Sequence, residues 1–392
     1  MKSLVAAFCF LLVAAPVAAE PVNVKVGVLR EAHSRETLSI LDIPAADDTL
    51  AGVLLGAADN NTTGKFTNQT FEAIDAKLAE GDDVIAALDS LIEKGALFII
   101  ADLSAERLLA ASERAKAKSA LLFNVSATDD RLREEDCRAN VIHVAPTRSM
   151  LADGLAQYLV WKQWRRWLLI KGSHPKDELL AQAFRNSARK FGAKIIEERV
   201  YEDTGGGRRS DSGSVQTQRQ MPLLTQNAPA YDTLIAADES EVFGGYLPYR
   251  TWDPRPVAGS AGLMPTNWDP AHEQWGALQL QNRFIQTFRR LMNARDNAAW
   301  LAMRMIGEAA TRTASSDAEK LRLYMLGGDF SIAAFKGVRL TLRPWNQQLR
   351  QPILLSDGRM VVSVSPQEGF LHQTSELDTL GVDQPETRCK LK

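Results

Sequence analysis

The chain has 392 residues, 45% hydrophobic and 24% charged, with a formal net charge of −2. These proportions fit a soluble globular protein of one large or two ordinary domains. The near balance of charge excludes the basic stripe of a nucleic-acid-binding protein and the polybasic face of a membrane-surface protein.

In chain order, Met1 and Lys2 precede an apolar run to residue 15, and Val17, Ala18 and Ala19 supply a small-residue cleavage pattern. Residues 1–19 therefore read as a cleaved secretory signal, which leaves 373 residues and a net charge of −3 in the periplasm. No later apolar run approaches a membrane span, so no membrane insertion is expected after cleavage. Of the three cysteines, Cys9 leaves with the signal. Cys137 and Cys389 remain, and an oxidising compartment permits a disulfide. Two separate thiols are the alternative, because spacing along the chain carries no distance.

Residues 22–29 read as a strand and 49–59 as a helix that ends in the polar turn 60–64. Strands follow at 66–73, 97–101, 120–124 and 141–144, with helices at 84–93 and 106–116 between them. Pro146 breaks the pattern, which then restarts: helix 150–161, strand 167–171, helix 179–191, strands 193–201 and 233–237. The segment 204–213 reads as a glycine-rich surface loop. Two long helices, 274–291 and 298–314, precede strand-like pieces at 338–342 and 353–355. Asp357-Gly358 then predicts a hairpin to 360–364. Repeated strand–helix alternation is the pattern of parallel sheets covered on both faces. The expected fold class is α/β, two doubly wound lobes joined by a multi-strand hinge. Lobe 1 is expected at 20–147 plus 268–328, and lobe 2 at 148–267 plus 329–392.

Motifs of catalysis are missing. Gly64-Lys65 fails the phosphate-loop spacing, with Asp59 where a glycine belongs and Phe66 after the lysine. No GxGxxG follows a strand, and no GxSxG elbow occurs. The histidines at 33, 143, 174, 272 and 372 are scattered, with no zinc spacing. The pairs Asp47-Asp48, Asp82-Asp83 and Asp129-Asp130 read as solvated caps. The mixed run at 161–167 reads as a helix end entering a strand. No catalytic residue, metal or cofactor is expected.

Several segments resemble type I periplasmic solute-binding proteins of the branched-chain amino-acid-binding class. Val26, Gly27, Val28 and Leu29 resemble the family's first strand. Segments 97–104 and 123–128 resemble its two ligand loops in lobe 1, and 141–147 its first crossover. Segments 296–311, 329–330, 336–338 and 356–358 follow its C-terminal order. Three rarer runs, at 59–64, 136–140 and 367–372, resemble a subgroup of ABC-transporter binding proteins found alongside PQQ-dependent (quinoprotein) alcohol dehydrogenases.

The resemblance implies a two-lobed protein that traps a small molecule by hinge closure and delivers it to an ABC permease. It implies ligand contacts at Ser104, Ser126, Ala127 and Thr128 in lobe 1, at His174, Asp238 and Glu239 in lobe 2, and at Trp268 beyond the second crossover. The alternative roles are turn capping for Ser126 and Thr128, a surface turn for His174, capping of the next helix for Asp238 and Glu239, and core packing for Trp268. Two departures from the family count against an amino acid as ligand. Residues 256–260 run almost directly into 261–266, and 30–47 lacks a glycine-rich turn, offering Arg30, Glu31, His33 and Arg35 instead. The alternative function is an accessory or sensor protein that binds a protein partner and delivers no solute.

Overall fold

The computed structural model describes residues 21–32, 43–205 and 210–391. The signal segment 1–19, His33, Arg35 and residues 206–209 lie outside them.

The first parallel sheet has five strands: β1 (Val22–Glu31), β2 (Gln69–Leu78), β3 (Phe98–Asp102), β4 (Leu121–Asn124) and β5 (Val141–His143). Their order is β2-β1-β3-β4-β5. Helices α1 (Leu50–Thr67), α2 (Val84–Glu93) and α3 (Ala105–Ala117) connect them. Side chains alternate between two cores, as the strand period of two requires. Phe98 and Ile100 join one cluster, while Ile99 and Ala101 join the other with Leu88 and Leu108 of the helices.

Helix α1 continues through the polar run at 60–64, where a turn was expected. Packing supplies the reason: Asn60 is buried and its side-chain amide donates to Met303 O at 2.8 Å. Strand β2 consequently starts three residues later than expected. Gly52 also sets the close approach of this helix to its neighbour, since a Cβ there would lie 2.0 Å from Asp296 O.

After Pro146 the second lobe begins with α4 (Arg148–Trp161), β6 (Arg166–Gly172), α5 (Pro175–Phe191), β7 (Lys194–Tyr201), α6 (Asp211–Thr225), β8 (Thr233–Ala237), α7 (Leu247–Arg250) and β9 (Val257–Gly259). Its sheet is parallel, in the order β7-β6-β8-β9. Helix α6 takes the end of the expected surface loop; Ser210 caps it by accepting from Gly213 N at 3.1 Å.

The chain next forms β10 (Met264–Thr266) and returns to lobe 1 with α8 (Ala277–Phe288), α9 (Ala294–Thr313) and α10 (Ala318–Leu326). Three short strands follow: β11 (Ile332–Ala333), β12 (Arg339–Leu342) and β13 (Leu349–Arg350). The hairpin of β14 (Ile353–Ser356) and β15 (Val361–Ser365) forms as expected. The return to lobe 2 was expected at 329. Instead Phe330, Ile332, Leu340, Leu342 and Leu349 join the core of lobe 1, and Ile353 and Leu355 join that of lobe 2. We therefore place the third crossing near 350.

The three crossings lie together. His143 bridges to Gln348, and β10 pairs antiparallel with β14, Thr266 opposite Leu354. The second crossing is abrupt, because Gly262, at φ 71°, turns β9 straight into β10. A Cβ there would sit 2.1 Å from Val257 O, so only glycine fits.

Candidate functional site between the lobes

In open α/β sheets, ligands sit beyond the carboxyl ends of the strands. In both lobes those ends face the crossings, and a cavity of about 400 Å³ lies there. Another cavity, of about 440 Å³, lies at the amino ends of β3 and β4, beside Leu97, Leu121 and Arg322, away from the junction.

The loop after β4 is organised from within. Asn124 Oδ1 accepts from the amides of Ser126 at 3.3 Å and Ala127 at 2.9 Å. The buried guanidinium of Arg133 donates to Ala127 O, Asp129 O, Ala145 O and Gln348 Oε1. Ser126 Oγ donates to Leu103 O at 3.3 Å. The amides of Ser126 and Ala127 are thus already engaged, and of this loop Thr128 lines the cavity.

The loop after β8 is organised by an anion. Asp238 is buried and accepts from the amides of Val242 at 2.9 Å, Phe243 at 2.8 Å and Gly244 at 2.5 Å. Burial raises its pKa, and these amides oppose the rise. Ser260 Oγ accepts from Asp238 N at 3.0 Å, tying this loop to the end of β9.

Arg148, the first residue of α4, joins the lobes. Its guanidinium donates twice to Glu239, at 2.6 Å each, and lies 3.2 Å from Asp129 Oδ2 on the lobe 1 loop. Its side chain is 5% exposed. Burial alone would lower its pKa, but hydrogen bonding and attraction from Glu239 outweigh that and hold it charged. Its backbone amide donates to Thr128 O at 2.9 Å.

Leu151, Leu180, Phe184, Met264 and Pro265 make the apolar wall of the cavity. Ser260, Thr266 and Ser356 bring hydroxyls, and Asp238, Glu239, Glu241 and Asp269 bring carboxyls. Four acids thus face one cation, and that cation is already paired with Glu239 and Asp129.

The other expected residues stand elsewhere. Trp268 is buried in the lobe 1 core, edge-on to His272, too deep to close over a ligand. His174 precedes α5 and its Nε2 lies 2.8 Å from Asp203 Oδ2. Ser104 precedes α3 and is held by Glu31, which accepts from its amide at 3.1 Å. Arg30 is committed to a two-bond pair with Asp75. Of the acidic pairs, Asp83 caps α2, but Asp48 is buried rather than solvated. Sequence reasoning missed Arg148, Ser260, Thr266 and Ser356. Thr147, a good N-cap that accepts from Met150 N at 3.0 Å, signals that the helix starts at Arg148. Among the described residues, no group of three or more His, Cys, Asp or Glu is placed to hold a metal.

The family model described as "Periplasmic binding protein" matches residues 43–216. A branched-chain amino acid ABC transporter periplasmic ligand-binding protein from Burkholderia xenovorans superposes with a TM-score of 0.72 at 16% identity, covering 94% of this chain and 99% of its own. The fold is that of the type I periplasmic binding proteins. The leucine-, isoleucine-, valine-, threonine- and alanine-binding protein from Brucella ovis, in its closed conformation, gives 0.68 at 15% identity over 95% of this chain and 100% of its own. A solute-binding protein of an ABC transporter from R. palustris, in complex with benzoate, gives 0.67 at 12% identity over 94% and 99%. No curated protein matches the chain. The matched family is one of binding proteins, not of enzymes. Among the described residues no helix is long and apolar enough to cross a membrane.

Proposed function

We propose that the chain is the periplasmic ligand-binding component of an ABC transport system, taking one small molecule into the cavity between the lobes and presenting it to a permease. The observation that carries this reading is the cavity itself, at the carboxyl ends of both sheets and beside all three crossings. The matched family and the two-lobed fold support it. The chemistry of the walls favours a neutral or cationic molecule with an apolar body. A free carboxylate would face four acids, and it would have to displace Glu239 or Asp129 from Arg148.

We further propose that the system serves quinoprotein alcohol oxidation, a reading that rests on the three resembling runs. Those runs lie in α1, around Cys137 and after β15, and none of them lines the cavity. The accessory or sensor reading is favoured by one observation: the amides of Ser126 and Ala127, two of the residues expected to touch a ligand, are engaged within the protein.

A thermal-shift screen of amines, alcohols, aromatic acids and amino acids, with native mass spectrometry of the purified protein, tests the reading. Mass action predicts stabilisation of about 2.7 kcal/mol at a hundredfold excess over Kd, which is a rise of several degrees in Tm. Amines or neutral compounds are expected to give it and simple carboxylates not. If no compound shifts Tm and no small molecule co-purifies, the transport reading falls and the accessory reading stands.

A further inference from the structure

The polar groups that line the cavity between the lobes differ in what they still have to offer a ligand. Arg148 spends its guanidinium on Glu239 and Asp129. Three of the hydroxyls spend their proton inside the protein. Ser260 Oγ donates to Ala236 O at 3.1 Å, Thr266 Oγ1 to Trp268 O at 2.9 Å and Ser356 Oγ to Met360 O at 3.1 Å. Among the described residues the Thr128 hydroxyl has no partner, and it is the one side-chain donor of the lining left over. The lining is therefore short of donors.

Acceptors are not short, and one of them stands apart. Asp238 is taken by three backbone amides, and Glu239 accepts from Arg148 with both oxygens. Glu241 is exposed, where water screens its charge. Asp269 is half-buried, and its Oδ1 accepts from Ala271 N at 2.8 Å. Among the described residues its Oδ2 has no hydrogen-bond partner and no lysine or arginine pairs with it. His272, three residues on, is buried, and burial lowers its pKa, so it stays neutral at pH 7 and brings no countercharge. Asp269 and Thr128 belong to the lobe 1 side of the cavity, Asp269 following Trp268 of that lobe's core. The apolar residues Leu151, Leu180 and Phe184 stand opposite in origin, on α4 and α5 of lobe 2.

We propose that Asp269 makes this cavity selective for a protonated primary or secondary amine, whose N–H groups bond to Asp269 while its hydrocarbon body lies against Leu151, Leu180 and Phe184. The proposal rests on the cavity being the ligand site and adds the functional group that the site selects. A lining rich in acceptors and short of donors suits a ligand that donates, and a half-buried carboxylate without a countercharge suits one that is also positive. An alcohol of the same shape donates once and brings no charge. A quaternary ammonium brings the charge and has no N–H to donate. Head and body are held by different lobes, so full affinity needs both.

The test titrates the purified protein at pH 7 with 2-phenylethylamine, 2-phenylethanol and the N,N,N-trimethyl derivative of the amine, by calorimetry. The amine is expected to bind on the order of 10-fold more tightly than either analogue, the scale of one charged hydrogen bond. Asp269→Asn keeps an Oδ1 for Ala271 N, so the turn is preserved. It is expected to weaken the amine about 10- to 100-fold and to leave the alcohol unchanged, a split that a merely structural role would not give. If the variant does not fold, the three-compound comparison on the unaltered protein decides. If ligands bind but the amine is not preferred over its two analogues, or binds the variant equally well, this proposal alone is overturned. If nothing in this set or in the thermal-shift screen binds, the transport reading falls and takes the proposal with it.

Discussion

Two buried ion clusters stand at the lobe junction with opposite stoichiometry. At the first crossing one cation, Arg148, serves two acids, Asp129 and Glu239, whose side chains are 20% and 27% exposed. At the third crossing one acid, Asp378, serves two cations, Arg343 and Arg350, each with a bond of 2.8 Å. That second cluster is sealed: Asp378 and Arg343 are at most 2% exposed, and both guanidiniums lie over the ring of Trp345. Sealed charges have no partner outside the protein and act as a rivet. The cluster at Arg148 borders the cavity between the lobes, and its two acids are partly open to solvent. A difference of solvent access separates the two clusters, although both are built of Arg–carboxylate pairs, and under the proposed function only the open one meets a ligand.

Three changes break or sharpen this contrast. Asp378→Ala strands two buried guanidiniums and is expected to cost about 3–5 kcal/mol in denaturant unfolding, with or without ligand. Lys336 extends the comparison to a buried cation whose one hydrogen bond is to a neutral side chain, Gln351 Oε1 at 2.7 Å. Burial lowers its pKa to about 7. The folded form gives up the proton near pH 7 while the unfolded chain keeps it to about 10.4, so the unfolded state binds more protons in between. Stability from this residue therefore rises with pH across that window, by up to about 4 kcal/mol, and Lys336→Met is expected to flatten the rise and stabilise the protein at pH 7. Unfolding curves at pH 7, 8.5 and 10 check both. Glu239→Gln, the smallest change, is expected to cost about 1–2 kcal/mol, because Arg148 keeps Asp129. It is also expected to shift the screen toward carboxylates, which Asp378→Ala leaves alone; an unchanged ligand profile would return the Arg148 cluster to a structural role.

The framework was legible in the sequence wherever local pattern and packing agree. Helix α2 and strand β8 fall on the expected residues, because their apolar period and caps are complete within the segment. Helix α1 did not, since Asn60 and Gly64 look like turn formers until Met303 and Gln69 are known to lie against them. The cavity was legible only in part. Thr128, Asp238 and Glu239 follow strands and were reached through the order of elements, whereas Arg148, Thr266 and Ser356 come from three crossings far apart in the chain. The pairing that characterises the site joins residues 91 positions apart, and no local spacing encodes it.

The pairing of the crossings has a mechanical consequence. The third crossing is bonded on one side to the first, through His143 and Gln348, and on the other to the second, through β10 and β14. Three separate threads would let the lobes twist, slide and tilt independently. A ribbon of hydrogen-bonded strands resists shear in its plane and yields mainly by bending across it, like a leaf spring. The lobes are thereby confined to one angular coordinate, and any molecule that alters the junction is reported at the outer surface as a change in that single angle.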